Sequence, residues 1–250
     1  MAGHSKWANI QHRKGKQDAK RGKIFTRWIR AITIAARLGG GDVHANPRLR
    51  DAVEKAKNAN MTNDAIDRAI KKGAGGLEGN DLENVTYEGY GPGGVAVIVE
   101  CLTDNRNRTV AEIRHAFSKC GGNLGTDGSV SYLFKRQGLI SFDKNIDEDK
   151  IMMLALEQGA EDVIVNDDGS MDVVSTPEQL RTVKEAILAQ DLQPIFADTV
   201  MNPATTVELN EETARKMLKL QEMLDDLDDV QEVHSNADIS QDILAVIDNS

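Results

Sequence analysis

Residues 73–81 read GAGGLEGND, and the pattern of the chain changes across them. Before this stretch, apolar residues recur at the spacing of helices; after it, short apolar runs alternate with helical patterns. A glycine-rich segment between two kinds of pattern reads as a linker. The chain therefore cannot be one helical bundle or one uniform sheet.

Three helices are legible ahead of the linker. The first runs from about Lys23 to Leu38 and stops at Gly39-Gly40-Gly41. At 100° per residue, Ile24, Phe25, Trp28, Ile29, Ile32, Ala35 and Ala36 share one face, and Lys20, Lys23, Arg27, Arg30 and Arg37 form a cationic ridge on another. Asn46-Pro47 reads as N-cap and first residue of a second helix, with Leu49, Val53 and Ala56 inward. Thr62 caps a third, with Ile66, Ala69 and Ile70 inside and Gly73 expected just past its end. Amphipathic helices joined by short loops make a small bundle.

Beyond the linker, YEGYGPGG (87–94) reads as a glycine-rich turn, VAVIVECL (95–102) as a buried strand and 107–119 as a helix closed by Gly121-Gly122. SVSYLF (129–134) reads as a further strand. Then comes strand 139–142, helix 147–157, strands 163–165 and 171–174, helix 177–189 and strand 194–201, the β-α-β-β-α-β order of a ferredoxin-like unit. TTVEL, a helix at 211–228 and VQEVHS (230–235) supply a strand–helix–strand to the first α/β block. The expected fold class is α+β and multidomain: a three-helix bundle followed by two α/β domains, one ferredoxin-like and inserted in the other. The expected domains are 1–77, a discontinuous 78–134 with 203–236, an inserted 135–202, and a tail at 237–250 forming a short helix or disorder.

The overall charge of −10 conceals a reversal. Through Lys72 there are seventeen Lys and Arg against six acids; from Gly73 onward there are thirteen against thirty-four. Like charge gathered in one segment attracts polyanions whatever the whole-chain average. Two cysteines without metal or redox spacing, and no apolar run of membrane-span length, point to a reduced, cytoplasmic protein with no membrane partner. The opening residues are basic but lack an apolar core, so they are not a secretory signal.

Catalytic motifs are absent from the sequence: no phosphate loop, no nucleophile elbow and no metalloprotease helix. The five histidines (4, 12, 44, 115, 234) show no ligand spacing, so no metal and no cofactor are expected, and the protein is read as no enzyme. The acids of LDDLDDVQE (224–232) lack the spacing of a calcium loop and read as a solvated face.

The opening stretch MAGHSKWANIQHRKGKQDAKRGK differs in kind. It carries Lys6, Arg13, Lys14, Lys16, Lys20, Arg21 and Lys23 against the single acid Asp18, with little to bury. Such cations neutralise phosphates and release counterions, and Trp7 and His12 can stack on unpaired bases. This tail runs directly into the ridge bearing Arg27 and Arg30. A second anion site is expected where TDNRNRT (103–109) sets Arg106 and Arg108 at a strand-to-helix junction.

The opening 30 residues, with LGGGD and NPRLRDAVEKAKNANM, resemble the start of the YebC/PmpR family, and the stretch from YEGYGPGG through SVSYLF resembles its central signature. The resemblance runs from Met1 to about Ser235 and looks like that of a bacterial member. It implies three domains, the third inserted in the second, and a DNA-binding transcriptional regulator. Relatives in mitochondria imply the alternative of a ribosome-associated translational activator that sets the same surface on ribosomal RNA or tRNA. Three readings follow. The first is DNA binding, with Lys6, Arg13, Lys14, Lys16, Lys20, Arg21, Lys23, Arg27 and Arg30 on phosphates, Trp7 stacking, and the acidic domains forming a homodimer or holding partners. The second is the translation factor. The third is an enzyme around Tyr90, Arg106 and Arg108. Charge reversal at Arg27 and Arg30 is expected to abolish nucleic-acid binding but leave folding intact.

Overall fold

A computed structural model describes residues 21–75, 82–144, 146–166 and 169–248, without the side chains of 21–23 and 248. The described chain forms two compact units. One holds the residues up to Ser129 together with Lys216–His234; the other holds Val130–Arg215 and the residues from Ser235 on.

The first unit begins with the bundle: α1 (Arg21–Gly39), α2 (Pro47–Asn58) and α3 (Asn63–Ala74). Their shared core is Ile32, Ala35, Ala36, Leu49, Ala52, Val53, Ala56, Met61, Ile66 and Ala69, so the apolar faces read from periodicity are largely the buried ones, with Ile29 exposed as the exception. α1 ends as expected, with Gly40 left-handed at φ 84°. Asn46 does more than cap α2. Its oxygen accepts from Leu49 N–H at 3.1 Å, while its Nδ2 donates to the carbonyls of Ala35 at 2.8 Å and Gly40 at 2.9 Å. One buried amide thus closes the end of α1 and opens α2.

Gly73 does not lie past the end of α3. The helix continues to Ala74, Gly75 takes the cap, and Gly73 is buried inside. A Cβ there would run into the carbonyl oxygen of Thr33 and stand 2.8 Å from Ala36 Cβ. Glycine is present because α3 crosses α1 at backbone contact, not because the chain must turn. Gly73→Ala gains up to about 1 kcal/mol of helix propensity, but overpacking against backbone costs about 1–3 kcal/mol. The expected result is net destabilisation, read as a lower urea midpoint.

The same unit contains a four-stranded sheet in the order β3-β1-β2-β9, from β1 (Glu83–Tyr90), β2 (Ala96–Thr103), β3 (Asn123–Leu124) and β9 (Val230–Ser235). β1 pairs antiparallel with β2 from Glu83↔Thr103 to Tyr90↔Ala96. The stretch from Tyr87 to Tyr90 is therefore the end of a strand, and only Gly91–Gly94 make the turn. ENVTYEGY hides this strand because its charged residues and glycine mask the alternation, while the pairing to β2 carries it. α4 (Arg106–Lys119) buries Ile113, Ala116 and Phe117, and α7 (Glu211–Asp225) buries Met217, Leu220 and Leu224.

The second unit has the expected ferredoxin-like order: β4 (Phe134–Phe142), α5 (Glu148–Glu157), β5 (Asp162–Val165), β6 (Met171–Ser175), α6 (Leu180–Leu188) and β7 (Phe196–Pro203). Its antiparallel sheet runs β5-β6-β4-β7. Ile140, Phe142, Met171 and Val173 pack with Ile151, Ala155, Val183 and Ile187 of the two helices. The strand expected at 129–134 is instead a short 3-10 turn at Ser131–Leu133, and the strand expected at 139–142 begins earlier, at Phe134. The polar stretch that this adds stays in the sheet because buried Gln137 is satisfied. It donates to Glu161 at 2.9 Å and accepts from Asn202 at 2.7 Å.

β8 (Val207–Glu208) does not join the first sheet as expected. It pairs in parallel with β10 (Ala237–Asp238) as a separate two-stranded ribbon. The tail forms α8 (Gln241–Asp248). Among the described residues no helix is long and apolar enough to cross a membrane.

Candidate nucleic-acid interface

Of the nucleic-acid-binding residues singled out in the sequence, Lys6, Trp7, Arg13, Lys14, Lys16 and Lys20 lie outside the described residues. Arg21 and Lys23 lie in the first turn of α1, with side chains also outside them. Arg27 and Arg30 are described, and both turn toward the first unit's own acidic segment. Arg27 Nη2 donates to the Asp225 carbonyl at 3.2 Å. Arg30 Nη1 donates to the Asp228 carbonyl at 2.9 Å and to Asp229 Oδ1 at 2.8 Å.

Two expectations change here. Asp229 is not on a solvated face: it is 2% exposed. Charge reversal at Arg30 would also set a carboxylate against Asp229, so folding would not be left intact. The acidic run instead supplies the anchor that holds α1 to the end of α7.

Asp229 serves the second arginine motif as well. Arg108 donates to Asp229 Oδ2 at 2.7 Å and to Asp104 Oδ1 at 2.9 Å. Thr103 Oγ1 and Thr109 Oγ1 lie 3.0 and 2.8 Å from the same Asp229 oxygen. Asn105 caps α4 by accepting from Arg108 N–H at 3.0 Å. Local capping thus turns Arg108 back toward the strand, where its charge is matched by two carboxylates. Arg106 is exposed, with Nε 3.5 Å from Glu83 Oε1.

Burial alone would raise the Asp229 carboxyl, but the hydrogen bonds from Arg108, Thr109 and Thr103 and the Arg108 charge bring it below the ordinary carboxylate range. The same bonds push the Arg108 guanidinium up, so it stays charged.

Tyr90 does not join Arg106 and Arg108. It pairs with Ala96 at one end of β1, whereas Glu83 pairs with Thr103 at the arginine end. Seven strand steps are about 23 Å. Tyr90 donates instead to the Ser129 carbonyl at 3.0 Å, and it is Tyr87 whose hydroxyl reaches the Arg106 carbonyl at 3.3 Å. The register therefore breaks up the proposed enzyme cluster.

The bundle also shows cations that the sequence reading did not single out. Arg48, Lys57, Arg68, Lys71 and Lys72 are exposed, and none makes an ion pair among the described residues. Lys71 and Lys72 stand in the last turn of α3, where they favour the negative end of its dipole. Their signal was the positive charge of the whole segment, not a motif.

The two cysteines supply no reactive centre. Burial pushes the Cys101 thiol up to about 12, with Asp229 and Glu100 adding to the shift. Burial raises Cys120 as well, against the opposing charges of Lys219 and Lys119. Native protein at pH 8 is expected to react slowly or not at all with a thiol-specific disulfide reagent, and denatured protein to release two equivalents at once.

Similarity to known proteins agrees with this architecture. A solved structure of a conserved hypothetical protein from Aquifex aeolicus is 50% identical, covering 91% of this chain and 94% of that one, with a TM-score of 0.76. A protein of Coxiella burnetii is 62% identical over 244 residues, 98% of this chain and 100% of its own length. One of Methylococcus capsulatus is 62% identical over 245 residues, 98% and 99% of the two chains. Both are named probable transcriptional regulatory proteins, so the class is one of regulators. The chain belongs to the TACO1/YebC family: residues 5–76 match the model of the TACO1/YebC N-terminal domain, and residues 82–237 that of its second and third domains.

Proposed function

We propose that this protein is a nucleic-acid-binding regulator of transcription that engages DNA through its N-terminal cations. The observation that carries the reading is the charge reversal at residue 72, with seventeen Lys and Arg on the basic side. The names of the relatives support a role in transcription. Lys6, Arg13, Lys14, Lys16, Lys20, Arg21 and Lys23 make the phosphate contacts, with Trp7 stacking beside them. Exposed Lys57, Arg68, Lys71 and Lys72 extend the field. Arg27 and Arg30 serve a different end, since their hydrogen bonds hold α1 in place.

The test is in-cell crosslinking of the tagged protein, with sequencing of all recovered DNA and RNA. A variant with Lys6, Arg13, Lys14, Lys16 and Lys20 changed to Gln serves as control. Crosslinks gathered at a few promoter regions and lost in the variant support the reading. Crosslinks gathered in ribosomal RNA or tRNA overturn it in favour of a translation factor. Signal unchanged in the variant removes the arm from the interface.

A further inference from the structure

We infer that Glu100, Glu232 and His234 form a binding site for one divalent transition-metal ion of the zinc type. Glu232 and His234 stand two residues apart on β9, so strand alternation puts them on one face, and Glu100 comes from the neighbouring strand β2. One ligand atom from each, His234 Nε2 and a carboxylate oxygen of each glutamate, lies within 4.8 Å of the other two.

The distances lie within ion-pair range for a protonated ring, and they equally fit three ligands of one metal ion. His234 Nε2 is 3.5 Å from Glu100 Oε1 and 3.5 Å from Glu232 Oε2. Neither is a hydrogen bond, for which the range is about 2.7–3.2 Å. Two ligands held tetrahedrally at about 2.1 Å from one zinc ion are about 3.4 Å apart.

A second observation points the same way. The His234 side chain is only 11% exposed, and its Nε2 is buried without a hydrogen-bond partner. A buried ring nitrogen left unsatisfied costs free energy that a metal bond would offset. The remaining oxygen of Glu232 is held separately, with Lys55 Nζ 3.6 Å from Oε1, so Oε2 stays turned to the histidine. A cavity of about 180 Å³, lined by Glu100 and Glu232 with Trp28, Lys55 and Asn84, provides an approach and room for a water as fourth ligand. One imidazole with two carboxylates suits Zn²⁺, and Mn²⁺ less well.

The test is calorimetric titration of the full chain with Zn²⁺, using parent protein, His234→Gln and Glu100→Gln. Glu100 is 47% exposed on its side chain, so Glu100→Gln keeps the fold even if the histidine variant does not. Parent protein should bind one Zn²⁺ per chain. Each variant should bind more than about 100-fold more weakly, beyond the about 10–100-fold that an outer-shell loss costs. Zn²⁺ should also shift the ring-nitrogen resonances of His234 in the parent. No one-to-one binding by the parent, binding unchanged in Glu100→Gln, or an unmoved His234 resonance each overturns the site.

Discussion

Asp229→Ala lowers the stability of the first unit by about 3 kcal/mol. The carboxylate is buried and shared by Arg30, Arg108, Thr103 and Thr109, so its removal strips four groups of one acceptor. Removing one partner of a buried pair costs about 3–5 kcal/mol. The low end applies because Arg30 and Arg108 keep 29% and 45% of their side-chain surface in water, which relieves part of the loss. Asp229→Asn keeps the shape and one acceptor oxygen but not the charge, and should cost about half as much. The measurement is urea unfolding followed by Trp28 fluorescence in a Trp7→Phe background, since Trp28 lies on α1 and packs against the bundle core.

The same carboxylate gives the protein an acid limit. Its native value is below the unfolded one, so its stabilisation is complete above the ordinary carboxylate range near pH 4. It is lost as the pH falls through the depressed native value. Unfolding midpoints of the parent should therefore drop below about pH 4 more steeply than those of Asp229→Asn. Equal slopes would show that Asp229 is not the group responsible.

The second large effect is on binding. Changing Lys6, Arg13, Lys14, Lys16 and Lys20 to Gln removes five of the seventeen cations of the basic segment. Each phosphate contact on duplex DNA contributes about 0.9 to the slope of log affinity against log salt. If all five touch phosphate, the slope falls by about 4.5, and affinity near 0.15 M salt falls by about 10³-fold or more. A change at Arg30 should lower stability as well, because its bonds to Asp228 and Asp229 hold α1, and this separates the two kinds of variant. Fluorescence anisotropy with labelled duplex DNA across a salt series reads both quantities. A slope unchanged by the five substitutions removes the arm from the phosphate contacts.

How well the sequence predicted each feature follows from how local that feature is. Asn46, Pro47 and Thr62 announce helix starts because a cap acts within three residues. The ferredoxin-like order was legible because each of its elements has its own period. Gly73 misled because a helix stop and a close helix crossing call for the same residue. β1 and the middle of β4 were missed because their strand character comes from partners, β2 in one case and β6 with β7 in the other. The charge map was legible as a total and misleading in detail. Arg27 and Arg30 fall on the cationic ridge of the helical wheel, yet their acceptors lie 198 and 199 residues away.

By itself, then, the sequence determined the helices of the bundle, the order of the inserted unit and the basic character of the first 72 residues. All three depend on periodicity, capping and composition, which act over a few residues. Only the tertiary structure decided which charges are matched. It buried Asp229 between Arg30 and Arg108, parted Tyr90 from the arginines, and brought Glu100 to His234. Electrostatic attraction and strand pairing depend on distance in space, and nothing in residue spacing records that Glu100 and His234 sit on neighbouring strands.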